Sequence, residues 1–130
     1  MPYIRPPFFV RRVFNPLAMR FGIGGSAALT VPGRRTGRPH TVPVIPVTLD
    51  GAEYIVSPRG ETQWARNLRA AGRGELRRGA AKRSFRATEV GVDECPPILA
   101  AYQAKAGRAV ASFFRALPDP ADHPVFRIEP

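Results

Sequence analysis

Apolar and polar positions alternate along the chain with two different periods. Phe9, Val13, Leu17 and Phe21 recur at steps of four, while Arg11, Arg12 and Arg20 fall elsewhere around the same wheel. That spacing predicts an amphipathic helix over 8–21, kinked or restarted at Pro16. Such a helix suits a cover over a core, and its cationic side also suits an anionic lipid surface. Residues 26–32, SAALTVP, predict a short strand, and PGRRTGRP follows as a turn. The stretch TVPVIPVTLDGAEYIVSP predicts a hairpin with strands at 41–49 and 53–57, joined at Asp50-Gly51. Pro43 and Pro46 remove two backbone donors from the first strand, which predicts an edge, a bulge or backbone turned toward a ligand.

The second half carries longer periods. Trp64 and Leu68 stand four apart in ETQWARNLRAA, and Gly72 follows, predicting a helix over 61–71 with Ser57 or Thr62 as its cap. Strands are expected at 74–78 and 82–91, with Phe85, Ala87 and Glu89 sharing one side of the second. Asp93-Glu94 are placed to cap a helix opened by Pro96-Pro97 and running to Leu117. Ile98, Tyr102, Val110, Phe113 and Leu117 form its apolar side, and Gly107 weakens its middle. LPDPADHP reads as a loop, and 125–128 as a last short strand. About six short, mostly antiparallel strands with inserted helices predict a small α+β barrel, one domain over 1–130 whose first 25 residues are helical.

Composition sharpens the partner question. The chain has 130 residues, 44% of them hydrophobic, enough for a core of its own. It carries 20 Lys and Arg against 10 Asp and Glu, a formal charge of +10. All the basic residues except Lys82 and Lys105 are Arg. Residues 1–40 hold seven basic residues and no acidic one. Arg forks suit phosphates and carboxylates, so a polyanionic partner is the first expectation, against a plain compositional bias toward Arg. No apolar run approaches the ~20 residues of a membrane span. The N-terminus lacks the apolar region and cleavage site of a secretory signal. Cys95 is alone, which removes an intrachain disulfide and a thiolate zinc cluster. His40 and His123 lie more than eighty residues apart, and each reads as structural or exposed. No metal is expected. A reduced, cytoplasmic setting fits, with peripheral contact at the inner membrane face as the extension that residues 1–21 invite.

Two segments carry candidate chemistry. Gly33-Arg34-Arg35-Thr36-Gly37-Arg38-Pro39 places three guanidinium groups and a hydroxyl on one turn, a concave anion site. It lacks the spacing of a phosphate-binding Walker loop. Ser57-Pro58-Arg59-Gly60 ends a strand just before the Trp64 helix, where a helix N-terminus favours phosphate. Neither a Ser-His-Asp nor a Cys-His arrangement is present, nor are carboxylates paired at helical spacing. Anion turns with few acid–base groups suit binding, or chemistry carried by a cofactor.

Taken together, LTVPGRRTGRP at 29–39, the strands around Asp50-Gly51, the turn at 57–60 and Trp64-x-x-Asn67-Leu68 resemble the deazaflavin (F-420)-dependent nitroreductase family. The ordered match covers 29–91, with an echo in His123-Pro124-Val125-Phe126-Arg127. The resemblance implies a split β-barrel related to flavin reductases and use of coenzyme F-420, an 8-hydroxy-5-deazaflavin whose tail carries a phosphate and several glutamates. By it, Arg34, Arg35, Thr36 and Arg38 would hold the tail, and Pro43 and Val44 would line the deazaflavin. Ser57, Arg59 and Gly60 would meet the phosphate or ring edge, with Trp64 and Asn67 as buttresses. Tyr102 and Phe113 are the candidates for the acceptor side. The implied reaction is hydride transfer to a quinone, a nitro compound or another electron-poor small molecule, by a monomer or homodimer. FMN is the second choice of cofactor. A non-catalytic F-420 carrier and a basic nucleic-acid-binding barrel are the alternatives, the latter weakened by the lack of an aromatic-interleaved basic strand.

Overall fold

The computed structural model describes residues 25–130. The expected N-terminal helix at 8–21 lies outside them. Seven strands form one antiparallel sheet: β1 (Ala27–Pro32), β2 (Pro39–Val44), β3 (Val47–Leu49), β4 (Ala52–Val56), β5 (Arg73–Arg78), β6 (Ala81–Glu89) and β7 (Val125–Glu129). Three helices accompany them: α1 (Gln63–Ala71), α2 (Cys95–Ala106) and α3 (Arg108–Ala116).

The strand order is β2-β1-β5-β6-β7-β4-β3. The two outermost strands, β2 and β3, are consecutive in the chain and separated only by Ile45 and Pro46. The sheet must therefore curl until its two edges approach, while β2 pairs with β1 and β3 with β4 rather than with each other. This is the α+β split barrel that the patterning and the resemblance anticipated, with seven strands instead of about six. Pro43 sits on the edge strand β2, as its missing donor requires, and Pro46 lies in the link between β2 and β3, outside any strand. The expected single strand at 41–49 is two strands, broken where Pro46 carries the chain from one edge to the other.

Alternation decides what each face covers. In β4, Ile55 joins the inner core with Leu29, Val31, Leu68, Leu76 and Phe126, whereas its neighbour Val56 faces the outer core with Val47, Ile98, Leu99 and Tyr102. Burying a side chain such as Leu29 or Phe126, each under 2% exposed, contributes roughly 1.5–3 kcal/mol. Helix α1 closes the inner core through Ala65 and Leu68, and α2 and α3 cover the outer face.

Local signals explain the connections. Asp50 and Gly51 have φ of 52° and 80°, positive at both central positions as a type I′ hairpin turn needs. Thr62 caps α1, its hydroxyl accepting from the Ala65 N–H at 3.3 Å, and Gly72 ends it. The long helix expected after Pro96 is two helices. Gly107, at φ 59° and ψ −131°, breaks the helix between α2 and α3. Asp93 and Glu94 lie in a short 3-10 turn, and Glu94 makes no side-chain cap bond to α2, which corrects the capping role expected of them. No helix among the described residues is long and apolar enough to cross a membrane.

Candidate functional site

Both anion-suited turns meet on α1. The β1–β2 turn is closed by two backbone bonds, from the Gly33 N–H to the Arg38 carbonyl at 2.8 Å and from the Gly37 N–H to the Gly33 carbonyl at 2.9 Å. Arg34 folds back onto the helix, donating to Asn67 Oδ1 at 2.7 Å and to Gln63 Oε1 at 2.9 Å. Its backbone N–H reaches the same Asn67 oxygen at 3.2 Å. Residues 63 and 67 share a helix face, so one stripe of α1 holds the turn. Arg34 is thus a tether, a different task from that of its neighbours. Arg35 and Arg38 stay exposed, and no ion pair engages them among the described residues. The Thr36 hydroxyl accepts from the Arg38 N–H at 3.3 Å, bracing the turn's end.

The second turn is built from the inside. Ser57 is fully buried. Its hydroxyl donates to the Gly60 carbonyl at 2.7 Å and lies 2.9 Å from the Thr62 hydroxyl. Ser57, which the resemblance sets against a phosphate or ring edge, gives its hydroxyl proton to the Gly60 carbonyl and so also holds the turn's shape. Gly60 is buried beside it, and its N–H donates to the Ser57 carbonyl at 3.3 Å. Arg59 leans toward α3, its guanidinium carbon 4.8 Å from the centre of the Phe113 ring. Arg59 Nε is buried and has no partner among the described residues.

The remaining expected residues divide by depth. Trp64 packs half-buried on the inner core, its ring centre 6.3 Å from that of Phe126. Pro43 is exposed on the β2 edge, and Val44 next to it is buried. Tyr102 is 2% exposed, packs against Phe114 and belongs to the outer core, and burial pushes its hydroxyl pKa up. Tyr102, a candidate for the acceptor side, thus lies within the outer core. Phe113 is only partly buried, and it brings the expected acceptor side into contact with Arg59.

Sequence reasoning missed one charge cluster. Arg69 on α1 makes a two-pronged pair with the buried Glu61, at 2.8 and 2.9 Å, and reaches Glu89 at the end of β6 at 2.6 and 2.8 Å. The Arg69 hydrogen bonds hold the Glu61 carboxyl below its usual range, against the opposing effect of burial. The eight-residue separation of Glu61 and Arg69 is the only signal the sequence offered. A second cluster joins Arg78 and Arg83 to Glu53. Burial pushes the Glu53 carboxyl up, but the hydrogen bonds and charges of the two arginines outweigh it and lower the pKa. Together with the 3.4 Å pairing of Lys82 and Glu75, this accounts for cationic residues that the sequence leaves to composition.

Histidine and cysteine are structural. His123 Nε2 stands 2.5 Å from the Leu117 carbonyl, which can only accept, so that nitrogen carries the proton. Cys95 is buried, and burial, with Glu89 and Glu94 nearby, raises its thiol pKa. No group of three His, Cys, Asp or Glu among the described residues could hold a metal ion. The site therefore offers cationic donors and shaped backbone, with no nucleophile set against a base.

A sequence model of the F420H(2)-dependent quinone reductase family matches residues 9–112. The chain belongs to the F420H(2)-dependent quinone reductase family. The family agrees with the resemblance seen at 29–91 in pointing to a deazaflavin-dependent reductase, and membership implies use of coenzyme F-420. No curated protein matches the chain. Among solved structures, a protein of unknown function from Agrobacterium tumefaciens is 23% identical over 99% of this chain and 58% of its own, with a TM-score of 0.61. The chain thus spans 58% of that protein's length. The haem storage protein HutZ from Vibrio cholerae is 16% identical over 90% of this chain and 89% of its own, with a TM-score of 0.59. A structure described as a domain-swapped dimer is 18% identical over 93% and 97%, with a TM-score of 0.56. At these identities the likeness is one of fold.

Proposed function

We propose that this family member binds reduced coenzyme F-420 and passes a hydride to a quinone or another electron-poor small molecule, nitro compounds included. The observation that carries the reading is the family match over 9–112. The donor set fits the cofactor. Among the described residues Arg35 and Arg38 have no side-chain acceptor, and Arg59 has a buried Nε without a partner, the chemistry that a phosphate and a glutamate tail call for. On this reading Arg35 and Arg38 take the tail's carboxylates and Arg59 the phosphate. Arg34 and Asn67 hold the turn in register, Ser57 and Gly60 set the backbone beneath the phosphate, and Trp64 backs the site. Pro43 lines the ring with exposed surface that has no N–H of its own, and Val44, buried next to it, backs that strand from the core.

When bound, the deazaflavin supplies the hydride chemistry, and the chain supplies orientation and positive potential. With no buried acid placed to deliver a proton, water completes the two-electron reduction of the acceptor. Spectral titration of the purified chain with coenzyme F-420 tests the reading, and micromolar or tighter binding, on the order of −8 kcal/mol, is expected. No binding at tens of micromolar by folded protein would overturn it. Anaerobic mixing of the protein with excess reduced F-420 and a soluble quinone separates a reductase, which speeds quinone reduction over many turnovers beyond the rate with free cofactor, from a carrier, which does not.

A further inference from the structure

Phe113 and Phe114 are neighbours on α3 that do different work. The Phe114 ring stacks on His123, centres 4.2 Å apart and planes 22° from parallel, and lies 6.1 Å from Tyr102. Phe114 thereby fixes α3 to the outer core. Successive helical residues point about 100° apart, so Phe113 points in another direction, packing partly on the outer core and meeting the Arg59 guanidinium with its ring.

The Arg59 backbone is already rigid. Ser57 and Gly60 bond to each other across it, and Pro58 restricts φ immediately before it. What remains is side-chain freedom, and the Phe113 ring face restrains that without occupying a single N–H, because a cation–π contact attracts the guanidinium as a plane. The buried Nε has no acceptor, and no carboxylate among the described residues pairs with this arginine. A held cation with its donors unclaimed is preorganised for an anion from outside.

We infer that Phe113 is a positioning residue that presents the Arg59 guanidinium to the phosphate of the coenzyme. The inference rests on the cofactor reading, and its test separates the two. The ligand-free full chain is titrated by fluorescence with coenzyme F-420 and with the tailless 8-hydroxy-5-deazaflavin ring. Phe113→Leu is expected to weaken F-420 binding about 5–10-fold and to leave the tailless ring within about 2-fold. Phe113→Tyr keeps the ring face and is expected to bind F-420 within about 2-fold of wild type. Adding Phe113→Leu to Arg59→Gln should cost nothing further, since the group being positioned is gone. Phe113→Met replaces Phe113→Leu in every arm if circular dichroism finds the leucine variant unfolded. Equal losses for both ligands, additive losses in the double variant, or no loss at all would overturn the assignment while leaving the cofactor reading intact. A wild-type chain that binds neither ligand would overturn both.

Discussion

A single oxygen, Asn67 Oδ1, accepts both the backbone N–H and the guanidinium of Arg34, at 3.2 and 2.7 Å. Asn67 is 5% exposed and Arg34 is exposed, so removing the amide leaves part-buried Arg34 donors that water satisfies only in part. Asn67→Ala is expected to lower stability by about 1–3 kcal/mol, read from urea denaturation. Asn67→Asp keeps an acceptor facing a cation and should recover most of the loss. An alanine variant as stable as wild type would show that the turn does not depend on this tether.

Three arginines on that one turn should behave as two kinds. Arg35→Ala and Arg38→Ala remove exposed, unpaired groups and should change stability by no more than about 0.5 kcal/mol. Each should weaken binding of long-tailed F-420 more than that of the tailless ring, with a shallower dependence on salt. Arg34→Ala should do the reverse, lowering the melting temperature and weakening both ligands alike. Thermal melts run beside each titration check the division, and equal losses of both ligands in Arg35→Ala and Arg38→Ala would contradict tail contacts.

Acid should loosen the joint between α1 and β6. The Glu61 carboxyl is held below its usual value mainly by the Arg69 hydrogen bonds. A carboxyl whose folded pKa is depressed adds stability above its unfolded pKa and loses it as the pH falls through the folded value. The melting temperature should therefore fall as the pH drops below about 4.5, the ordinary carboxyl value. Glu53, also lowered, adds to the same slope. Glu61→Gln should cost about 1–2 kcal/mol at pH 7, with Arg69 a third exposed and partly screened, and should flatten the acid slope without abolishing it. An unchanged slope would remove Glu61 from the account.

Legibility from sequence followed the range of each interaction. Asp50-Gly51, the Thr62 cap and the Phe85/Ala87 alternation are local, and each stands where its neighbours dictate. The break at Pro46 is not local. Val44 and Val47 look like members of one alternating run, and only the choice of partner strands, β1 for one and β4 for the other, puts them on opposite edges. The candidate site divides in the same way. The residue types pointed to an anion site on two turns, but Arg34, Arg35 and Arg38 have identical chemistry. Which one is tethered depends on α1, some thirty residues on. Burial made the other differences. Ser57 and Tyr102 carry the hydroxyls of candidate ligand contacts, and the packing of the two cores encloses both.

Gly107 joins these threads, because the helix break it permits decides where α3, and so Phe113, can stand. Its φ of 59° with ψ of −131° lies in a region that residues with a Cβ rarely enter, although open space surrounds the missing Cβ. The strain of a substitution is therefore in the backbone and not in a clash. Gly107→Ala should cost about 1–3 kcal/mol, or else shift α3 toward continuing α2, which separates Phe113 from Arg59. The two responses are distinguishable. Strain alone lowers the melting temperature and leaves both deazaflavin ligands equally bound at low temperature, whereas displacement weakens F-420 selectively, as Phe113→Leu does. A Gly107→Ala chain matching wild type in melting and in both titrations would mean that the break between α2 and α3 does not require glycine.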